Sequence, residues 1–169
     1  MPASGWAVYD GKRYEFDPAT DFGTLDWGRG VWTYENTWYW GSGNGIIDGK
    51  NFGFNIGYGF GNTTAASENV IFYDGKAHKF GAVDVETFPK PDKYMEPWHF
   101  VSEDGRFDMT MKPFYDHHSD INALVMRMHS HQVHGLWSGK AILDDGTVLE
   151  ICADNEALVE YGQVLFRIG

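Results

Sequence analysis

The stretch Asp48–Asn62, DGKNFGFNIGYGFGN, decides the fold class. Phe52, Phe54, Ile56, Tyr58 and Phe60 alternate in it with Gly53, Asn55, Gly57, Gly59 and Gly61. A period of two places the five large residues on one face of a strand and leaves a nearly bare face behind them. Glycine inside a strand marks sharp coiling or a close neighbour. Both suit the wall of a β-barrel. The bare face is either packed tightly by neighbours or left as room for a ligand. Asp48-Gly49, just ahead, is a type I′ hairpin signal, because both central residues of that turn need positive φ.

The same dipeptide recurs at Asp10-Gly11, Asp74-Gly75, Asp104-Gly105 and Asp145-Gly146, each between plausible strands. Five such turns predict an antiparallel sheet built from hairpins. The predicted pairs are Trp6–Tyr9 with Arg13–Phe16, Thr37–Ile47 with Asn51–Phe60, Val70–Tyr73 with Ala77–Glu86, and Trp98–Ser102 with Arg106–Lys112. Strands at Ile121–His129 and near Val133–Leu143 follow, the latter pairing with Thr147–Cys152. Asp17–Gly30 and the proline-rich Phe88–Pro97 read as loops. Asn155–Tyr161 has helical spacing, and Val164–Ile168 reads as a last strand.

The chain has 169 residues, which suits one domain with a real core. Its net charge of −11, without a basic stripe, argues against nucleic acid and anionic membrane surfaces as partners. No apolar run is long enough to span a bilayer. Cys152 is the one cysteine, so no internal disulfide forms. That fits a reducing, cytoplasmic location, as does an N-terminus without a charged and then apolar leader. Cys152 has no activating basic neighbour in sequence and reads as a buried thiol.

Three groups of residues could carry chemistry. The first is Asp26–Trp40, DWGRGVWTYENTWYW, with four tryptophans, two tyrosines, an arginine and two acids. Trp38 and Trp40 share one side of a strand, as a ligand wall or as a packed barrel end with Arg29 clamped by Asp26. The second is five histidines within 18 residues: His117, His118, His129, His131 and His134. His129 and His131 face one way on a regular strand, and Asp116 or Asp120 could complete a metal site. No spacing here matches a structural zinc signature, so the histidines read as hydrogen-bonded or exposed, and no metal or cofactor is expected. The third is Glu35, Glu68, Asp84 and Glu86, set among aromatic and amide residues. Asp84 and Glu86 share a strand face at roughly 7 Å, within the range a pair of glycosidase carboxylates needs. The plain reading is solvated acids on an acidic chain. A GxSxG nucleophile elbow is missing, and the glycines of 53–61 lie within a strand instead of opening a helix, so neither a serine triad nor a phosphate loop is expected.

Several of these segments together resemble the DUF2804 family, a family of unknown function. They are the DWGRGVW of Asp26–Trp32, the glycine strand Asn51–Asn62, the SEDGRFDM of Ser102–Met109, and HSHQVHGLWSG at His129–Gly139 followed by LDDG at Leu143–Gly146. The resemblance covers about residues 3–150 and leaves 151–169 as an atypical tail. It implies a lipocalin-like (calycin) barrel, similar to those of the carotenoid hydratases and the two-barrel AttH-type proteins. Family members are longer, and the chain resembles their C-terminal half. A site between two barrels would then be halved, and a homodimer could replace the missing part. The expectation is an all-β, antiparallel, lipocalin-like barrel of one domain that binds, and could process, a small molecule or sugar in its interior. Trp38, Trp40, Asn55 and Tyr58 would line that interior, with His129 and His131 as polar handles. The alternatives are a glycoside hydrolase using two of the four acids, with hydratase-like water chemistry as a neighbouring possibility, and a structural half-barrel unit that dimerises.

Overall fold

The computed structural model describes residues 1–29, 35–59, 62–87, 93–123, 126–152 and 164–168. These form an all-β, antiparallel structure. The strands are β1 (Gly5–Tyr9), β2 (Lys12–Phe16), β3 (Asn36–Ile47), β4 (Lys50–Tyr58), β5 (Val70–Tyr73), β6 (Lys76–Lys79), β7 (Val83–Thr87), β8 (Trp98–Ser102), β9 (Phe107–Ala123), β10 (Met126–Ile142), β11 (Val148–Ile151) and β12 (Val164–Ile168). β1 and β2 make a separate ribbon. The others form one sheet in the order β6-β5-β4-β3-β12-β10-β9-β8-β7, with β11 added to the end of β10.

Turn chemistry explains the local pairing. Asp10, Asp48 and Asp74 all have positive φ, as do the glycines that follow them. These are the two-residue turns that match the right-handed twist of a hairpin. The other two Asp-Gly pairs lie in longer connections, and there only Gly105 and Gly146 have positive φ. Their aspartates instead accept backbone hydrogen bonds, Asp104 from Arg106 N–H at 3.2 Å and Asp145 from Thr147 N–H at 2.9 Å.

Two expected elements differ. Ala77–Glu86 is two strands, broken at Phe80–Ala82. Ile121–His129 is not one strand but straddles the connection between β9 and β10, each of which is a single 17-residue strand. The predicted helix at Asn155–Tyr161 lies outside the described residues.

Phe52, Phe54 and Ile56 share the inner face of β4, as their alternation requires, and all are buried. Phe54 meets Phe107 of β9 at 5.1 Å and Trp137 of β10 at 4.9 Å, both edge-on. Phe80 stacks on Phe107 at 5.1 Å. Strands distant in ladder order therefore meet across one core, and the sheet coils around it. Trp98, Phe107, Met109, Met111, Val133 and Trp137 are at most 1% exposed. The bare face of β4 is covered in places: a side chain on Gly57 would overlap the Glu68 carboxylate, and one on Gly59 would press on Thr37 O.

The expected barrel closure is not seen among the described residues. The ladder ends at β6 and β7, which are joined in sequence by Phe80–Ala82. Side-chain hydrogen bonds tie the strand ends and the connection together at this end of the sheet. Arg106 donates to Lys79 O (2.6 Å) and Ile142 O (3.0 Å) and pairs with Asp144 (2.6 Å). Asn69 donates to Gly81 O, and Gly81 N–H donates to Asp104, each at 2.9 Å. Cys152 is exposed, not buried, because it lies beyond β11, whose Leu149 and Ile151 hold the inward positions.

Candidate functional site

The site begins with a defect in a ladder. From Phe107 to Met111 the inward residues of β9 are odd-numbered and buried. The register with β10 then slips: Gly135 faces Pro113, while His134 faces Tyr115. Phe114 is the extra residue of a β-bulge. Proline cannot donate to a ladder, so a bulge is one of the few places an interior strand accepts it. A bulge reverses which residues face inward beyond it. Asp116, His118 and Asp120 thereby join the inner face, opposite Val133, His131 and His129 respectively. His117 and His134 go to the other face. Burial, and then the neighbouring His117, hold the His134 imidazole below its ordinary value, so it is neutral near pH 7.

The hairpin thus presents three imidazoles and two carboxylates on one face, at the edge of the apolar core. His131 is 7% exposed, and its Nδ1 lies 2.8 Å from Asp116 Oδ2. A carboxylate only accepts, so Nδ1 carries the proton and Nε2 of the neutral ring keeps its lone pair. That Nε2 is 3.3 Å from His129 Nε2, and His129 Nδ1 is 3.3 Å from His118 Nε2. Asp120 stands 3.9 Å from His129 Nδ1. The other oxygen of Asp116 is buried without a hydrogen-bond partner.

Aromatic rings extend this surface. Tyr94, held where its carbonyl accepts from Trp98 Nε1 at 2.9 Å, stacks on His131 at 3.7 Å. Burial, then the nearby Tyr39 and Asp116, push the Tyr94 phenol above its ordinary value. Tyr39 stacks on Tyr58 at 5.6 Å. Tyr58 in turn lines a cleft of about 480 Å³ with Thr63–Ser67, Asn69, Gly81–Val83 and Glu103. Asn69, 1% exposed, braces that cleft from below by accepting from Gly57 N–H and donating to Gly81 O. The titratable groups gather not at this cleft but at the histidine end of the tyrosine run.

The residues singled out by sequence fall on two sides of the sheet. Tyr58, His129 and His131 are on the inner face. Trp40 and Asn55 are on the outer face: Trp40 Nε1–H donates to Asn55 Oδ1 at 2.8 Å, and Asn55 Nδ2–H donates to Glu68 at 2.9 Å. Trp38 shares the side of Trp40 by alternation and is half-buried. Glu35, Glu68 and Asp84 are exposed, and the Glu86 side chain lies outside the described residues. Of the aromatic stretch Asp26–Trp40, Trp27 is exposed and residues 30–34 lie outside the description. Sequence reading missed His118 as the partner of His129 and His131, and it missed Tyr94. Pro113 in a strand was the available signal for the first.

Neither curated proteins nor solved structures include a match to this chain. The profile of DUF2804, a domain of unknown function, matches residues 1–155, most of the chain. The motifs quoted from the sequence fall inside that match, and the chain belongs to the DUF2804 family.

Proposed function

We propose that this protein binds a small molecule on the inner face of its coiled sheet, along the surface running from Tyr58 through Tyr39 and Tyr94 to His131. One observation carries the reading: polar groups able to orient a ligand converge beside an aromatic wall, at the margin of a core that is otherwise apolar. That is the usual composition of a small-molecule site. Saturation-transfer NMR on the intact chain, with fragments containing aromatic, carboxylate and glycoside groups, tests it. Binders should lose their signal on Tyr58→Ala and His129→Ala and keep it on Trp40→Ala. Loss on Trp40→Ala alone would move the site to the outer face and refute this one.

A second reading, glycoside hydrolysis, has one observation in its favour. Trp40 Nε1–H donates to Asn55, which donates in turn to Glu68, so an indole and a carboxylate of the kind glycoside hydrolysis uses share one side-chain network on the outer face. Chromogenic glycosides should then be turned over, with turnover lost on Glu68→Gln and on one of Glu35→Gln, Asp84→Asn or Glu86→Gln. Turnover unaffected by Glu68→Gln would remove the reading.

A further inference from the structure

We infer that His118, His129 and His131 form a binding site for a single zinc ion. The inference is independent of the small-molecule reading. One imidazole nitrogen from each of the three lies within 4.8 Å of the other two. Zinc–nitrogen bonds of about 2.0–2.1 Å in a tetrahedron set neighbouring ligand atoms roughly 3.3–3.4 Å apart. His131 Nε2 and His129 Nε2 are already 3.3 Å apart. His118 Nε2 faces the other nitrogen of His129, Nδ1, at 3.3 Å, and because His118 is exposed its ring can rotate toward the Nε2 pair to complete the set without disturbing the core.

The surroundings are those of a metal ligand. A histidine that binds zinc through one nitrogen commonly donates its other N–H to a carboxylate, which fixes the tautomer and raises the basicity of the ligating atom. Asp116 does this for His131 at 2.8 Å, leaving Nε2 as the lone pair that faces His129 Nε2, while the His118 ring stacks on the His131 ring at 4.5 Å. The second Asp116 oxygen is buried and unpaired, an excess of negative charge that a nearby cation would offset. Tyr94 covers the outer face of His131 and restricts water on that side. Three nitrogen donors disfavour calcium and magnesium, which take oxygen. Three protein ligands with a fourth position left over is the arrangement of catalytic zinc, not of closed structural sites.

The sequence concealed this arrangement. His129 and His131 are spaced as two ligands on one strand, but the third ligand lies across the hairpin, and the bulge decides that it is His118 and not His117. Zinc binding to the full chain is measured by equilibrium dialysis with elemental analysis, and its affinity by competition with a chromophoric chelator. One zinc per chain is expected, and cobalt in its place should show the intense visible bands of tetrahedral coordination. His118→Ala and His129→Ala should each weaken binding by about 100-fold or more. Asp116→Asn should weaken it by roughly 10–100-fold, as expected for an outer partner. His117→Ala, on the opposite face, should leave it unchanged. His118→Gln serves as a second variant that keeps the bulk of the side chain, with tryptophan fluorescence reporting the fold of each. Stoichiometry well below one, wild-type affinity in the His118 and His129 variants, or a loss on His117→Ala would each overturn the inference.

Discussion

Two glycine-to-alanine substitutions separate real steric walls from movable ones. At Gly139 an added Cβ would lie 2.2 Å from Asp108 O and 2.9 Å from Met109 Cα, and the residue has φ +138°. Both neighbours are backbone of β9, locked by the Gly139–Met109 register. Carbon contacts need about 3.5–4.0 Å, so the strands would have to part by about 1 Å. Strained φ costs about 1–3 kcal/mol and overpacking about 1–3 kcal/mol, which together centre near 4 kcal/mol. For a chain of this length each kcal/mol lowers Tm by roughly 2–4 °C, so Gly139→Ala should melt about 8–16 °C early. At Gly57 the added Cβ would fall even closer, onto the Glu68 carboxylate. That group is the far end of an exposed side chain and can swing away, losing mainly its hydrogen bond from Asn55. Gly57→Ala should therefore cost about 1 kcal/mol or less. Urea unfolding followed by tryptophan fluorescence reads both, since Trp98 and Trp137 are buried in the core. A Gly139→Ala variant within about 0.5 kcal/mol of wild type, the level of ordinary surface changes, would refute the reasoning, as would equal costs at the two sites.

Asp104→Ala should destabilise by about 2–3 kcal/mol, because it strips partners from Gly81 N–H, Arg106 N–H and the buried Ser102 hydroxyl, which itself accepts from Phe107 N–H. The same carboxyl sets a pH dependence. Partial burial raises it, but hydrogen bonds from Ser102, Arg106 and Gly81 and the Arg106 charge outweigh that and hold it below 3.8. A depressed folded value means its stabilisation is present above about pH 4 and is lost as pH falls through the folded value. Wild type should lose stability there more steeply than Asp104→Ala in acid titration of the denaturation midpoint. Trp137→Ala, removing a fully buried ring that meets Phe54 and Phe100, should cost about 3–5 kcal/mol by the same urea assay.

The sequence was readable where one rule acted alone. Asp-Gly at 10, 48 and 74 demanded positive φ and obtained it, so those hairpins follow from two residues each. The face of Phe52, Phe54, Ile56 and Tyr58 follows from alternation. Where two rules competed, sequence reading failed. Phe107, Met109 and Met111 establish an odd-numbered inner face that, extended, would choose His117. The bulge at Phe114 reverses this, and only Pro113 hints at it. Trp40 and Tyr58 were expected in one pocket, yet their register partners, Gly57 and Tyr39, put them on opposite faces. Barrel closure depended on whether β6 and β7 would pair. At that junction the contacts come from side chains distant in sequence, Asn69 and Asp104 on Gly81 of the connection and Arg106 on Lys79 O of β6, which no local pattern reveals.

The two ends of the molecule therefore divide the labour, and this has a measurable consequence. The motif residues Ser102, Asp104, Arg106 and Asp144 are spent on sealing one end. His129 and His131, from the other long motif, stand at the opposite end of the same two strands. From Arg106 to His118 the chain climbs twelve residues of β9, roughly 40 Å at the rise of a strand. Sites so far apart that share no partner should act additively. Asp104→Ala should lower stability without changing zinc affinity per folded molecule, and His118→Ala should do the reverse. The double variant should show the sum of both effects, within about 0.5 kcal/mol. A larger coupling would mean that the sealed end controls the geometry of the hairpin arm, and the two motifs would have to be read as one device.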